Sequence, residues 1–226
     1  AALSLALLAT GMQFIRTMHT LADEADGLRS PERLLFATID LAYLRYTPSA
    51  SEAFYAQLLT RAATIPGVRS AGLTDFEFFG DVEYAYARVW LPGASPGKSI
   101  RANGAYTAGA LFSAVELDVL KGTAFTPADA NRTDVVIVVE PFATKHFGGD
   151  ALGRRIRIGR MDANYSEARE ATIIGIVGAP RTRRSDSIPT VFYSSTLEPN
   201  RALSLFLATQ GDTTEAADAL RRLGRD

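Results

Sequence analysis

Residues 93–99, GASPGKS, are the stretch of this sequence that comes closest to a phosphate-binding loop. In that loop four residues separate the first glycine from the Gly-Lys-Ser end, because the backbone amides must curl around the phosphates. Here three residues separate Gly93 from Gly97, and Pro92 stands where the first glycine would be needed. A phosphate-binding loop also joins a strand directly to a helix. The sequence therefore predicts a polar turn here rather than a nucleotide site.

The residue types that bind metals or transfer protons are few and scattered. Cysteine is absent, and the two histidines, His19 and His146, are far apart in the sequence. A metal site needs three or more ligands, so neither histidine predicts one. The carboxylates Asp129, Asp134 and Glu140 do not have the spacing of a paired acid and base. We therefore predict no catalytic, cofactor-binding or metal-binding residue, and a chain that is not an enzyme.

Arginines concentrate in two nearby segments of the sequence. Four lie on or just after one predicted strand, and three lie in a loop: Arg154, Arg155, Arg157 and Arg160, and then Arg181, Arg183 and Arg184. One interpretation is a patch that binds anionic lipid headgroups or an acidic partner. The other is a charged strand edge followed by a solvated loop. Alternation favours the second interpretation, because it turns Ile156 and Ile158 inward and the arginines outward whatever the function.

The first fifteen residues, AALSLALLATGMQFI, are uncharged and mostly apolar. A membrane helix needs about 20 apolar residues, and shorter runs are typical of core helices or of signal peptides. The basic start and the small-residue cleavage site of a signal peptide are missing. Met18 and Leu21 continue the apolar pattern at helical spacing. We interpret residues 1–30 as the end of a membrane helix and its stalk, with an amphipathic core helix and a signal remnant as alternatives.

The overall composition is that of an ordinary globular protein. The 226 residues are 47% hydrophobic and 22% charged, which is enough for one sizeable domain or two small ones. The net charge of −1 gives no electrostatic reason to expect nucleic acid binding. The absence of cysteine excludes disulfides, thiolate catalysis and cysteine-based metal sites.

Residues 34–79 have the pattern of a β-α-β unit. The segment LLFATIDLAYLRY, residues 34–46, is rich in β-branched and aromatic residues and predicts a long strand. The following helix is predicted from a capping box formed by Ser49 and Glu52. Phe54, Leu58 and Ile65 form its apolar face, and Pro66 with Gly67 ends it. A second strand is predicted over residues 68–79.

The middle of the chain is rich in predicted strands with short helices. Strand patterns occur in VEYAYARVWLP, DVVIVV, RRIRIG, ATIIGIVG and PTVFYS. The run DVVIVV is continuously apolar and is expected to be buried on both faces. Short helices are predicted within ALFSAVELDVLKGTAF and in PFATKHFGG, where Pro141 fits the first helical position.

The end of the chain repeats a β-α pair. ALSLFLATQG predicts a strand, and DTTEAADALRRLG predicts a helix capped by Asp212 or Thr213, with Ala216, Leu220 and Leu223 on one face. Two half-units would each leave an apolar face uncovered, so residues 34–46 and 203–209 are expected to share one sheet. The fold class predicted from this pattern is α+β: a split β-α-β domain with an inserted β-rich lobe, after a stalk helix.

Six segments, taken in order, resemble a known family. They are LSLALLATGMQFIRTMHTL, FYAQLLTRAATIPGVRSAGL, ELDVLKGTAFTPAD, VVIVVEPFATKHFGGDALGRRIRIG, ATIIGIVG and PTVFYS. Together they resemble the periplasmic core domain of MacB-like ABC transporter permeases, in the FtsX/MacB-type permease family. One departure is Glu140-Pro141, where the family usually has an Asn-Glu pair.

The resemblance implies a domain organisation. Residues 1–30 would be the end of the first transmembrane helix and the stalk, and residues 31–79 the first half of a porter-like α/β subdomain. Residues 80–198 would be an inserted β-rich lobe. Residues 199–226 would be the second, incomplete half of the porter-like subdomain.

The resemblance also implies a function in transport. The chain would be the extracytoplasmic domain of a permease in the bacterial inner membrane, facing the periplasm or the cell exterior. It would couple ATP hydrolysis by a separate or fused cytoplasmic ABC ATPase to events outside the membrane. Further implied partners are a periplasmic adaptor or substrate protein and a second permease, in a homodimer or a heterodimer; no cofactor and no nucleic acid are implied.

Two other functions remain open at the level of sequence. A membrane-anchored, extracytoplasmic sensor is compatible with an α/β domain that holds a small molecule in a cleft. A secreted hydrolase would need a nucleophile paired with a base, and the sequence offers no such pair.

Overall fold

The computed structural model describes residues 30–41, 46–76, 78, 87–179, 190–194, 202–211 and 213–223. Within these ranges the strands are β1 (Leu34–Ile39), β2 (Val68–Thr74), β3 (Ala87–Trp90), β4 (Ile100–Gly109), β5 (Val119–Gly122), β6 (Val135–Val139), β7 (Arg155–Arg160), β8 (Arg169–Val177), β9 (Thr190–Tyr193) and β10 (Leu203–Thr209). The α-helices are α1 (Pro48–Ala63), α2 (Leu111–Ala114), α3 (Glu140–Phe147) and α4 (Thr213–Leu223). The expected stalk, residues 1–29, lies outside the described residues.

The chain forms two compact units, each built from separate segments of the sequence. The first unit takes Ala1–Asp75, Gly109–Glu116 and Glu198–Asp226, and the second takes Phe76–Ala108 and Leu117–Leu197. The chain therefore leaves the first unit, returns for eight residues, leaves again and finally comes back.

The sheet of the first unit has the order β1-β10-β2. β10 pairs antiparallel with β1, with Leu35 opposite Leu207, and antiparallel with β2, with Leu205 opposite Leu73. β1 and β2 are consequently parallel to each other and separated by β10. The prediction that residues 34–46 and 203–209 share a sheet is confirmed for residues 34–39, which pair with 203–208.

Helix α1 begins differently from the prediction. Thr47 is the N-cap, and its hydroxyl accepts a hydrogen bond from the Ala50 amide at 3.3 Å. The predicted capping box of Ser49 and Glu52 is therefore wrong. The reason is that Pro48 fits the first helical position, where its fixed φ suits a helix and its missing N–H leaves no donor unsatisfied.

The buried face of α1 covers one side of the first unit's sheet. Phe54, Tyr55 and Leu58 are buried, as the apolar pattern predicts for Phe54 and Leu58. The Tyr55 hydroxyl donates a hydrogen bond to the Ile39 carbonyl at 3.0 Å, which ties the helix to the end of β1. Ile65 is buried as well, but it lies in the turn after the helix rather than on it.

The strands of the first half are shorter than predicted. β1 ends at Ile39 instead of residue 46, and β2 ends at Thr74 instead of residue 79. β10 begins at Leu203, which lies opposite Ile39, so β1 has no further residue of β10 to pair with, and the pairing of β2 with β10 ends at Thr74, opposite Ser204. Residues 42–45, 77 and 79–86 are not described. The predicted strand at 82–92 is described only as β3, which ends where the chain turns after Trp90.

A short segment returns to the first unit and packs on β2. A Cβ built on Gly72 would lie 2.3 Å from the Leu111 Cα, so the start of α2 lies directly on the backbone of β2. The Ala110 amide donates to the Ala71 carbonyl at 2.8 Å. Leu111 is completely buried by this contact.

In the second unit six strands form a sheet that closes on itself. The circuit of neighbours runs β4-β3-β7-β8-β6-β9 and returns to β4. Closure leaves none of these six strands with an unpaired outer edge. β5 pairs with residues 175–177 of β8, beyond the residues of β8 that pair with β7.

The interior of this closed sheet is filled with aliphatic side chains. The register places Val89 opposite Ile158, and Ile156 opposite Ala171, and all four are buried. All five residues of β6 are buried, which confirms the prediction for DVVIVV. The predicted strands β7, β8 and β9 and the helix α3, with Pro141 near its start, are also confirmed.

Candidate functional site

The turn at residues 91–99 has a structural role. It links β3 to β4, and no helix follows it directly. The indole Nε1 of Trp90 donates to the Pro96 carbonyl at 2.8 Å, so the turn folds back over the outer side of that ring. Gly93 has φ of 75°, which a turn of this kind requires of a glycine. The predicted polar turn is confirmed, and its residues cover a tryptophan.

His146 lies on α3 beside an aromatic neighbour. Its ring is 4.9 Å from that of Phe142, and its Nε2 is buried without a hydrogen-bond partner. Burial, with a smaller contribution from Lys145, lowers the pKa of His146 below its ordinary value. The side chain is therefore neutral at pH 7 and packs as an aromatic residue. His19 lies outside the described residues.

Two of the three carboxylates considered in the sequence share a single arginine. Arg132 Nη1 is 3.0 Å from Asp129 Oδ1, and Arg132 Nη2 is 2.8 Å from Asp134 Oδ2. Asp129 also accepts hydrogen bonds from the hydroxyl and the amide of Thr126, which hold the pKa of Asp129 low. Both groups are ionised partners of a cation, so this cluster supports a loop rather than acid–base chemistry. Across the ranges that the structure describes, no group of three or more potential ligands is arranged to hold a metal ion.

The arginines of the 154–160 segment are neutralised by their own surroundings. Three of them form ion pairs: Arg154 with Asp150 at 2.8 Å, Arg155 with Glu170 at 3.1 Å, and Arg160 with Asp162 at 3.1 Å. The Arg157 guanidinium lies 4.7 Å from the centre of the Tyr165 ring and donates to the Ala168 carbonyl. This pairing favours the interpretation as a charged strand face over that of an open basic patch. Arg181, Arg183 and Arg184 are not among the described residues.

One further arginine lies inside the closed sheet. Arg169 is opposite Ile158 on β7 and so shares its inward face, with the guanidinium 5.6 Å from the centre of the Tyr193 ring. Burial lowers the pKa of Arg169 below its ordinary value, and Tyr193 offsets part of this effect. A cation stacked on an aromatic ring at this position closes one end of the aliphatic interior.

A shallow groove lies on the first unit. It is lined by Arg33, Arg69, Glu116 and their neighbours at the start of β1 and β2. Arg69 Nη2 is 3.5 Å from Glu116 Oε1, and Glu116 has φ of 53° in the turn that ends α2. Arg33 Nε is 3.9 Å from Glu32 Oε1, so each arginine of the groove already has a carboxylate beside it.

Sequence reasoning did not single out Arg88 and Arg101. They lie directly opposite each other on β3 and β4, and both are exposed. Neither makes an ion pair or a hydrogen bond with any part of the chain that the structure describes. On the other side of Arg88 the register places Gly159, which carries no charge. These two are the cations of the second unit that the fold brings together without a counter-charge among the described residues.

No helix within the described residues is long and apolar enough to cross a membrane. Among curated proteins, none matches the sequence of this chain.

Two solved structures are similar to this chain. The periplasmic region of MacB from Actinobacillus actinomycetemcomitans is 15% identical, with a TM-score of 0.53 over 74% of this chain and 71% of that one. The extracellular domain of the noncanonic ABC-type transporter YknZ from Gram-positive bacteria is 14% identical, with a TM-score of 0.46 over 74% of this chain and 82% of that one. The MacB structure shows that the fold is the mixed α/β fold of MacB periplasmic regions.

The family follows from the sequence itself. The model of the MacB-like periplasmic core domain matches residues 2–223. The chain belongs to this family, and it is homologous to the extracytoplasmic domains of MacB-like ABC transporter permeases. The resemblance found in the six sequence segments is confirmed, and the sensor is not favoured.

Proposed function

We propose that this chain passes movement of permease membrane helices, driven by ATP hydrolysis on the cytoplasmic side, to a substrate or partner outside the membrane. The observation that carries the proposal is the family match over residues 2–223, which extends through both compact units. In this role the chain itself is not catalytic. The neutral His146 and the carboxylates held by Arg132 are consistent with that role, because both have structural partners.

The proposal includes a domain organisation. Residues 1–30 are the end of the first transmembrane helix and the stalk, and residues 31–79 and 199–226 are the two halves of a porter-like subdomain. Residues 80–198 are the inserted β-rich lobe. The position of β10 between β1 and β2 supports the split, because the second half supplies the central strand of the first half's sheet.

The proposed partners follow from the family. They are the bacterial inner membrane, reached through the N-terminal helix, a separate or fused cytoplasmic ABC ATPase, a second permease, and a periplasmic adaptor or substrate protein. The domain faces the periplasm or the cell exterior. A rigid connection is needed, since a flexible linker would absorb the displacement of the helix. The sequence has no Pro or Gly between Met12 and Asp26, which supports a continuous stalk.

Transmission of movement can be measured with spin labels in the full permease, together with its ATPase in lipid nanodiscs. The chain has no cysteine, so Arg61→Cys on the exposed side of α1 gives a single labelling site in this domain. In a permease dimer, the distance between the two labels is expected to change by several ångströms between the nucleotide-free and the vanadate-trapped states. The isolated chain is expected to show no ATP turnover of its own.

A matched variant separates transmission from mere attachment. Six glycines inserted after Asp26 give a flexible joint, and with them the nucleotide-dependent distance change is expected to disappear while ATP hydrolysis continues. Label distances that do not respond to nucleotide in the unmodified permease would contradict the proposed function.

Deletion of residues 1–18 is expected to leave the domain folded and to reduce its self-association. In a membrane Leu3, Leu5, Leu7 and Leu8 would face lipid or neighbouring helices, whereas in water they form an apolar patch that attracts other chains. Light scattering after size-exclusion chromatography measures the mass, and circular dichroism measures the fold. If the deletion unfolds the domain, the segment is a core helix and the membrane interpretation fails.

A further inference from the structure

We infer that Arg88 and Arg101 form a docking point for an acidic segment of a partner protein. The two residues are opposite each other in the antiparallel β3–β4 pair, and both are exposed on its outward face. Side chains in such a pair have Cβ atoms about 5 Å apart. Like charges at this distance lower stability, so an unneutralised pair of this kind indicates a counter-charge that comes from elsewhere.

Among the described residues, the local surroundings do not supply that counter-charge. Arg88 has Gly159 as its other cross-strand neighbour, and a Cβ on Gly159 would meet the Ala163 side chain at 2.9 Å, so the loop after β7 lies against this position through an alanine. The nearest acidic residue of that loop, Asp162, is paired with Arg160. Further along the outward face, Glu170 is paired with Arg155. The remaining acid of this loop, Glu167, accepts a hydrogen bond from the Asn164 amide at 2.8 Å, so all three acids of these described strands and the loop already have partners.

The chemistry of two adjacent guanidinium groups selects carboxylates. Each group is a planar fork that binds a carboxylate through two parallel hydrogen bonds. Two forks on neighbouring strands can bind two acidic side chains on the same face of a segment, at i and i+2 if it is extended or at i and i+4 if it is helical. Arginine is also enriched at the centres of protein interfaces.

A membrane surface fits this pair less well than a protein does. Peripheral attachment to anionic lipid takes four or more basic residues, or apolar side chains that insert between the headgroups. The exposed large apolar residues of the described chain are Val119, Leu120 and Leu152. They lie on β5 and in the loop before β7, away from the pairing of β3 with β4.

This inference rests on the proposed function for its setting, since it supposes that the chain acts through a partner outside the membrane. Its test does not require transport. The full 226-residue chain is titrated with a fluorescent hexaglutamate peptide, with hexaglutamine as the uncharged control, and binding is followed by anisotropy at low and at high salt. Binding to hexaglutamate that weakens with salt is expected, and equal binding of both peptides would overturn the inference.

The variants make the test specific. The double change Arg88→Gln and Arg101→Gln is expected to weaken hexaglutamate binding about tenfold, since exposed ion pairs contribute little individually and two are lost. Arg61→Gln, a matched change at an exposed arginine on the other unit, is expected to have no effect. Unchanged binding by the double variant would overturn the inference, as would a loss of the same size in Arg61→Gln.

Charge reversal at one position separates binding from stability. Arg101→Glu creates an opposite-charge pair with Arg88, so the Tm is expected to rise by about 1–3 °C while hexaglutamate binding is lost. A purely structural role would move both quantities in the same direction, which would overturn the inference. Vesicles with and without phosphatidylglycerol form a separate arm. Arginine-dependent binding to anionic vesicles without binding to hexaglutamate would replace the protein partner by a lipid surface.

Peptide binding can fail while the label distances in the full permease still respond to nucleotide. In that case the docking point is wrong and the proposed function remains. In the reverse result the peptide binds but the label distances do not respond to nucleotide. The docking point then remains and the proposed function is wrong.

Discussion

Leu205→Ala is expected to lower the free energy of unfolding of the first unit by about 3–4 kcal/mol, because truncating a buried leucine leaves a cavity that the core fills only in part. Leu205 is 1% exposed on β10 and lies between Ala37 of β1 and Leu73 of β2. Every strand of that sheet therefore loses contact with the removed atoms. Urea denaturation followed by circular dichroism measures the change.

The control is the same substitution at an exposed leucine. Leu120 is 47% exposed on β5, so Leu120→Ala is expected to change the stability by less than about 0.5 kcal/mol. The single tryptophan, Trp90, is buried in the second unit and reports on that unit by fluorescence. If Leu205→Ala and Leu120→Ala destabilise equally, the central position of β10 is wrong.

Gly122→Ala is expected to destabilise the second unit by about 3 kcal/mol, through two separate effects. Gly122 has φ of 73°, in the left-handed region that disfavours a Cβ. A Cβ at this position would also lie 2.2 Å from the Ile174 carbonyl oxygen of β8. Because the obstacle is backbone in a paired strand, it cannot rotate away as a side chain could.

A second glycine isolates the conformational effect from the steric one. Gly153 has φ of 76°, and a Cβ there would meet no atom within 4 Å. Gly153→Ala is therefore expected to cost about 1 kcal/mol, from the backbone conformation alone. The difference between the two variants, measured by denaturation with Trp90 fluorescence, gives the steric contribution. Equal losses would show that β5 does not pack on β8 as described.

Most elements could be predicted where local pattern and tertiary environment agree. The apolar run of β6 is buried throughout, and helix α3 has Pro141 near its start and Gly148 at its end, as their local patterns predict. Strand β4 was missed, because IRANGAYTAG contains alanine, asparagine and two glycines, which have low strand preference. It forms a strand because β3 and β9 pair with its two edges.

The candidate docking point could not be predicted either, because it depends on how two strands pair. Arg88 and Arg101 are thirteen positions apart, and only the register of β3 against β4 makes them neighbours. The arginines of the 154–160 segment are close together in sequence, and three of them form ion pairs with acids within a few residues or on the next strand. The arginines that are close in sequence therefore have counter-charges nearby. The pair formed by Arg88 and Arg101 can be recognised only when the strand register is known.

The position of β10 also determines when the first unit can be completed. β10 is the last strand of the described chain, and the hydrogen bond between Thr38 and Ser204 joins residues 166 positions apart. Until residue 209 has been made, β1 and β2 lack the strand that lies between them, while all strands of the second unit, from residue 87 to residue 193, are already present. We therefore expect the second unit to fold first, while the apolar β1 stays unpaired until β10 has been synthesised. During synthesis, this interval is when β1 is most exposed to proteases and to aggregation through its open strand edge.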